Sequence, residues 1–378
     1  MHGSQAQDWD AIVVGGGLIG SAVAYGLSRR GRRTLVLDGA DDALRASRAN
    51  FGLVWVQGKG LNRPEYADWS RRASELWPEF CEELNATADS AVPYRRSGGV
   101  ALALSEDELA QSVANLETLQ AQTGANAYPF EVLDHDRLAA MLPGLGPRVV
   151  GGTYCPLDGD TNPLKLLRAL HTALQRRGGS YHGSQEVIGI AARDGGYRVT
   201  TTSGAIYDAA KVVIAAGLGN RKLAALVGLH VPVDPLWGQI IVTERCQPLF
   251  DMPTLHLRQT DEGSFLLGVS QRDAGLDTAT QASVMRDMAW RNAAMFPFLE
   301  GLRIVRTWSG LRVMTPDGFP IYDRSPSHPG VFVVTGHSGV TTAANHALLL
   351  ARWIDEGDLP QDIAALNSKR FDVQASAA

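Results

Sequence analysis

Gly15-x-Gly17-x-x-Gly20 and Asp38 form the clearest chemical constellation in the sequence. A glycine at the first place permits a tight turn, one at the second lets the backbone close on a pyrophosphate, and one at the third allows close helix packing. Leu18 and Ile19 open the helix in between, so its N-terminal N–H groups and partial positive charge face the same anion. Asp38, 18 residues beyond Gly20, is spaced to accept hydrogen bonds from an adenosine ribose. The set predicts a dinucleotide site, and on its own it leaves NAD and FAD both open. Elsewhere His256 and Arg258 alternate with Leu255 and Leu257. On a strand they would share a face and could turn into a cavity as site residues, although solvent is the ordinary destination of such a face.

Composition narrows the remaining chemistry. Of 378 residues, 45% are apolar and 20% charged, and 35 Lys and Arg stand against 40 Asp and Glu with no long run of one sign. The balance gives no electrostatic reason to expect nucleic acid or an acidic membrane surface as partner. Cys81, Cys155 and Cys246 are far apart and odd in number, which argues against a disulfide framework, a zinc site or a four-cysteine cluster, and so for no metal. A reducing, cytoplasmic setting follows, with peripheral membrane contact left open. Residues 11–28 carry no charge, but five glycines and two preceding aspartates, Asp8 and Asp10, read as a turn between strand and helix rather than a membrane span or secretory leader.

The elements that must position these residues follow from periodicity. Residues 11–14, 18–30 and 34–37 read as strand, helix and strand, a βαβ unit that forces a parallel pair. Helices are predicted over 66–85, 106–123 and 162–178, the second beginning at a capping box made by Ser105 and Glu108 and the third ending at Gly178-Gly179. Strands are predicted over 98–104, 185–190, 197–202 and 211–215. From residue 232 the texture changes to extended segments at 239–243, 254–258 and 265–269, the mark of an antiparallel sheet. A strand at 330–335 and a helix over 341–356 close the chain, whose alanine- and serine-rich end is expected to fray. The fold class expected is α/β: a Rossmann-like dinucleotide-binding domain (1–90, 143–231 and 306–378) with an inserted α+β substrate domain built on an antiparallel sheet (91–142 and 232–305).

Residues 212–217 (VVIAAG), 336–342 (GHSGVTT) and 158–162, taken with the N-terminal unit, resemble the glycine/D-amino-acid oxidase family of FAD-dependent amine oxidoreductases over nearly the entire chain. Residues 47–59 (SRANFGLVWVQGK) and 310–323 (GLRVMTPDGFPIYD) look like the catalytic subunits of opine oxidases, hydrogen cyanide synthase and D-hydroxyproline dehydrogenase. The resemblance implies FAD rather than NAD. It places Asn50, Gly52 and Leu53 against the flavin, Val187 at the adenine, and Ser47, Arg48, Ala216 and Gly217 along the cofactor. His337, Ser338, Gly339, Val340 and Thr341 would meet the flavin through backbone at a helix N-terminus, whose partial charge suits an anionic reduced ring. His337 reads foremost as a structural histidine and secondarily as a proton shuttle.

The resemblance also gives Arg312 the substrate carboxylate, a planar bidentate task suited to guanidinium, at the border of the flavin. The cysteine by which sarcosine oxidase relatives attach FAD has no counterpart near residues 312–315, which implies noncovalent FAD. The lysine with which they activate oxygen is matched by Leu266. The expected function is oxidation of the C–N bond of an amino acid or N-substituted amino acid (D-amino acid, hydroxyproline or opine type) by hydride transfer to flavin N5, with electrons passed to a partner, such as an additional redox subunit, or to another acceptor. The alternatives are a peroxide-producing oxidase of glycine or sarcosine oxidase type, a noncatalytic FAD-bearing relay protein, and an NAD-linked dehydrogenase, which the C-terminal segment argues against.

Overall fold

β1 (Trp9–Val14) runs into the glycine turn, α1 (Leu18–Arg29) leaves it, and β2 (Thr34–Leu37) returns parallel to β1, pairing Ile12 with Leu35 and Val14 with Leu37. The computed structural model describes residues 9–39, 45–357 and 360–374; Asp8 and the chain end after 374 lie outside them. Ala11–Val14 of β1 is an unbroken apolar run because both of its faces are covered. Ile12 and Val14 enter one core with Leu35, Val212 and Val333, while Ala11 and Val13 enter another with Val23, Leu27 and Trp353. The close crossing of α1 with the C-terminal helical segment requires Gly26, where a Cβ would stand 2.1 Å from the carbonyl oxygen of Ala347.

The large sheet has eight strands among the described residues. β1 lies between β2 and Ile206–Ile214, and Val331–Thr335 pairs in parallel with the end of the latter. This arrangement brings the ends of three parallel strands, at Val14, Ile214 and Thr335, to one side, where glycine-bearing turns follow each of them. In open parallel sheets that edge is where ligands bind.

The antiparallel sheet expected from residue 232 is present, in the order Leu257–Gln259, Ser264–Leu267, Asp234–Arg245, Ile304–Met314. Its fourth strand had no clear alternation and runs past the boundary expected at 305, paired from Asp234 with Met314 to Val242 with Arg306. Gly151–Cys155, beyond the boundary expected at 142, likewise pairs with both Gly99–Ala103 and Glu131–Asp134. Composition shifts mark changes of texture; ladder hydrogen bonds decide which segments belong together.

Helix bounds shift in the direction that end chemistry dictates. α2 (Pro64–Ala88) starts earlier than expected because Pro64 sits at the first helical position, where no N–H is needed. Glu106–Thr123 is capped by Ser105, whose Oγ accepts from the Glu108 N–H at 3.2 Å, and the Glu108 carboxylate accepts from Leu104 N at 3.0 Å. Asn162 caps Pro163–Arg176, and Gly178 follows with φ +83°. The C-terminal helix begins at Ala343 rather than 341 and contains a π-turn, His346–Leu350, before Ala351–Glu356. Among the described residues no helix is long and apolar enough to cross a membrane.

Candidate active site

A cavity of about 880 Å³ runs along the edge of the parallel sheet. At one end it is bounded by Asp38, Gln185 and Val187, in the middle by Gly15, Gly17 and Gly217, and at the other end by Gly336 and His337. Gly15 adopts φ +108°, and a Cβ there would meet the carbonyl oxygen of Ala215 at 2.4 Å. Gly20 serves packing: its Cβ would fall 2.0 Å from the carbonyl oxygen of Gly15. Asp38 braces the turn by accepting from the Gly16 N–H at 2.7 Å, and Ser47 Oγ accepts from the Leu18 N–H at 2.9 Å. Leu18, Ile19, Ser47, Arg48, Ala216 and Gly339 also face this cavity. A trough of this length, floored by backbone at three glycine turns and holding an acid at its far end, fits a dinucleotide.

A second cavity of about 340 Å³ opens from the His337 end. The two share Ala46, Asn50, Leu311, Val313, Gly336 and His337. Leu53, Ser338, Val340 and Thr341 line the smaller one, as does Arg312. Asn50 holds its own loop, with Oδ1 accepting from the Gly52 N–H at 2.7 Å. Arg312 reaches the cavity from the strand Ile304–Met314; its guanidinium donates to the carbonyl oxygen of Trp237 at 3.2 Å, and burial lowers its pKa. Among the described residues no carboxylate forms an ion pair with it. A desolvated cation with so little compensation is costly unless a ligand supplies the anion.

His337 touches both cavities. The surrounding protein, then the charges of Lys59 and Arg312, lowers its pKa, although the ring itself is open to the cavities, so it is neutral at the junction. Lys59 is the residue that sequence reasoning overlooked. It lines the smaller cavity, and its Nζ donates to Ser338 Oγ at 2.5 Å. Its signal was its place as the last residue of the 47–59 motif. Gly238 and Gln239, also in the lining, had no signal short of knowing the strand register.

His256 and Arg258 do not face these cavities, which corrects the expectation of a shared site face. Arg258 is buried in the wall, paired with Asp160 at 3.1 Å and donating through Nε to the carbonyl oxygen of Phe51. It lies against Gly52, whose Cβ would be 2.8 Å from the Arg258 Nη2; Gly52 too is behind the lining. His256 precedes the short strand Leu257–Gln259, and burial, aided by the charge of Arg291 and opposed by that of Glu108, pushes its pKa to about 4. Leu266 is buried between Val242 and Arg258 in the sheet, also outside both linings. Its match to the oxygen-activating lysine therefore does not bear on the charge of the cavity, where Lys59 stands instead.

A dinucleotide trough that opens onto a small, cation-bearing cavity is the architecture of an oxidoreductase whose cofactor meets a small molecule. Residues 10–353 match the model of the FAD dependent oxidoreductase family. The chain belongs to this family, and FAD is its cofactor. It is 42% identical to a subunit of the opine oxidase of Rhizobium meliloti over 365 residues, 97% of this chain and 98% of that one. It is 26% identical to a hydrogen cyanide synthase subunit of Pseudomonas aeruginosa, covering 98% of each. The crystal structure of glycine oxidase from Geobacillus kaustophilus superimposes with a TM-score of 0.85 at 25% identity, covering 96% of this chain and 99% of that one.

Proposed function

We propose that the protein is an FAD-dependent dehydrogenase that oxidises the C–N bond of an amino acid or N-substituted amino acid, of D-amino acid, hydroxyproline or opine type. The observation that carries this reading is Arg312, a half-buried guanidinium without a carboxylate partner among the described residues, placed in the cavity that adjoins the dinucleotide trough. Similarity to a subunit of an opine oxidase supports the N-substituted end of that range.

Asp38 and the Gly15–Gly17 turn would hold the adenosine and pyrophosphate, and residues 336–339 and Asn50 would border the flavin. When bound, FAD would supply the two-electron acceptor for a hydride from the substrate C–H; the amine proton would pass to solvent, and the C=N product would be open to hydrolysis unless cyclic. Arg312 fixes the carboxylate and with it the direction of the C–H bond, which is a positioning task. His337 contributes a neutral ring at the junction, so it adds no charge against the substrate amine. Cys81, Cys155 and Cys246 are absent from both linings, which supports noncovalent binding of FAD.

Electrons would pass to a redox partner within a hetero-oligomer in the cytoplasm, since two relatives are named as subunits. A second reading, with oxygen as acceptor, is favoured by Lys59 in the cavity and by the fold shared with a glycine oxidase. Anaerobic titration with D- and L-amino acids, hydroxyprolines and opines, followed by flavin absorbance, tests the donor. Reoxidation in air-saturated buffer against a phenazine dye then tests the acceptor: a dye rate well above the oxygen rate is expected, and equal rates would replace the dehydrogenase with an oxidase.

A further inference from the structure

The smaller cavity is electrically unbalanced. Two cationic side chains, Arg312 and Lys59, line it, and no aspartate or glutamate does among the described residues. Arg312 is expected to take the substrate carboxylate, which accounts for one charge. Lys59 hydrogen-bonds a neutral hydroxyl, Ser338 Oγ, and forms no ion pair among the described residues; the buried Asp158, outside the lining, acts on it only at a distance. An ammonium has three donors, so Ser338 orients it without saturating or neutralising it.

The lysine is also held in place by its backbone. Its N–H donates to the carbonyl oxygen of Val56 at 3.0 Å. The Gly58 N–H donates to the Tyr128 hydroxyl at 2.9 Å, and the Val56 N–H to the buried carboxylate of Asp158 at 2.5 Å. A surface lysine on a loose turn would need none of this. Leu53, Trp55, Ile240 and Leu255 supply apolar wall in the same cavity, suited to carbon between two charged ends.

We propose that Lys59 is a second anion post, and that the substrate is an N-carboxyalkyl amino acid, a secondary amine flanked by two carboxylates, one on Arg312 and the other on Lys59. Charge arithmetic favours two carboxylates over one. The amine must be neutral to release hydride, so a monocarboxylate leaves the cavity with net positive charge and a dicarboxylate neutralises it. Both cations share a lining with His337, and Ser338 Oγ, which accepts from Lys59 Nζ, lies 3.3 Å from the His337 Nδ1, so both flank the same junction. The oxidation step rests on the function proposed above; the anion post rests on the cavity alone.

The test uses the FAD-loaded protein and inert thioethers in which sulfur replaces the amine: a spacer series of dicarboxylates and the matching monocarboxylates, with binding read from flavin absorbance. Wild type should bind one of the dicarboxylates about tenfold or more tighter than its monocarboxylate, the scale of a charge-assisted hydrogen bond. Lys59→Met should erase that advantage, and Lys59→Arg should keep most of it. Equal binding of the two ligand classes by wild type overturns the proposal, as does a Lys59→Met loss of equal size on both. So does a Lys59→Met effect confined to reoxidation by oxygen. Anaerobic mixing with the corresponding amines separates the two readings. Dicarboxylates that bind through Lys59 while no amine reduces the flavin would sink the oxidation step and leave the post. Flavin reduction indifferent to the second carboxylate would do the reverse.

Discussion

The guanidinium of Arg312 covers Gly238: a Cβ built on that glycine would stand 2.3 Å from Nη1, 2.7 Å from Cζ and 2.8 Å from Nη2. The two residues belong to paired strands, Leu236 facing Arg312 and Gly238 facing Gly310. Gly238→Ala is therefore expected to push the guanidinium out of place while the strand persists. A misplacement of about 1 Å costs on the order of a hundredfold in rate, so kcat/KM should fall by roughly that factor with FAD content unchanged. Loss of FAD together with activity would mean that the glycine serves folding instead.

Arg312→Ala removes the clamp itself. Breaking a desolvated charge pair with substrate costs roughly 2 to 5 kcal/mol in kcat/KM, against under about 1 for an exposed arginine. Arg312→Lys should recover part of the loss, because an ammonium cannot form the planar fork. Steady-state kinetics on a carboxylate-bearing amine measure both; wild-type values for Arg312→Ala would remove the assignment.

Acid precipitation of the purified protein should release about one FAD per chain into the supernatant, as one βαβ unit offers one pyrophosphate site. Asp38→Ala should lower FAD occupancy before it alters substrate choice, since Asp38 both faces the trough and braces the Gly16 N–H. A coloured precipitate with a colourless supernatant would show a covalent link.

Arg258 behaves as a pillar. It pairs with Asp160, which also binds Arg95 at 2.9 Å, and it supports the loop at Phe51 and Gly52. Arg258→Met leaves Asp160 with one cation, and thermal or denaturant unfolding should show a loss of about 3 kcal/mol. Substrate KM should move little in the fraction that remains folded. A large KM rise at unchanged stability would return Arg258 to the site.

Asp158 gives the stability a pH dependence. Burial raises its pKa from 3.8 to about 7, against the pull of the donors from Val56 and Gln57. A folded-state pKa above the unfolded one means that the folded chain holds the proton more tightly. Stability from this group is complete below about pH 4 and is lost as pH rises through 7, at roughly 1.4 kcal/mol per unit. The temperature of half-unfolding should drop as pH rises from about 4 to 7 for this reason and level off above it, and Asp158→Asn should flatten the slope. An identical slope in the variant would assign the effect elsewhere.

Local chemistry made the first half of the site legible. Gly15, Gly17 and Asp38 act within one βαβ unit, so spacing alone carries their geometry. Gly238 and Arg312 are brought together by a strand register that no short-range pattern encodes. His256 and Arg258 show the opposite failure: alternation identified a strand, but the direction of its faces depends on which sheet covers it, and here it is packed on both sides. Lys59 was readable as part of a motif and unreadable as a cavity residue, because a turn has no period from which to infer where its side chain goes.

Arg312 lies on the longest continuous ladder in the antiparallel sheet, whereas Lys59 lies on a turn outside both of the large sheets. These two attachments differ in how freely they can vary across descendants. Moving Arg312 would require re-registering a strand that also walls the cofactor through Leu311 and Val313. Replacing Lys59 leaves every ladder intact. Lineages sharing this scaffold can thus diversify at Lys59 while the strand end stays constant, and a laboratory library aimed at new substrates should begin at that one position, since Gly60 is locked against Ala67 and Gln57 is buried and hydrogen-bonded.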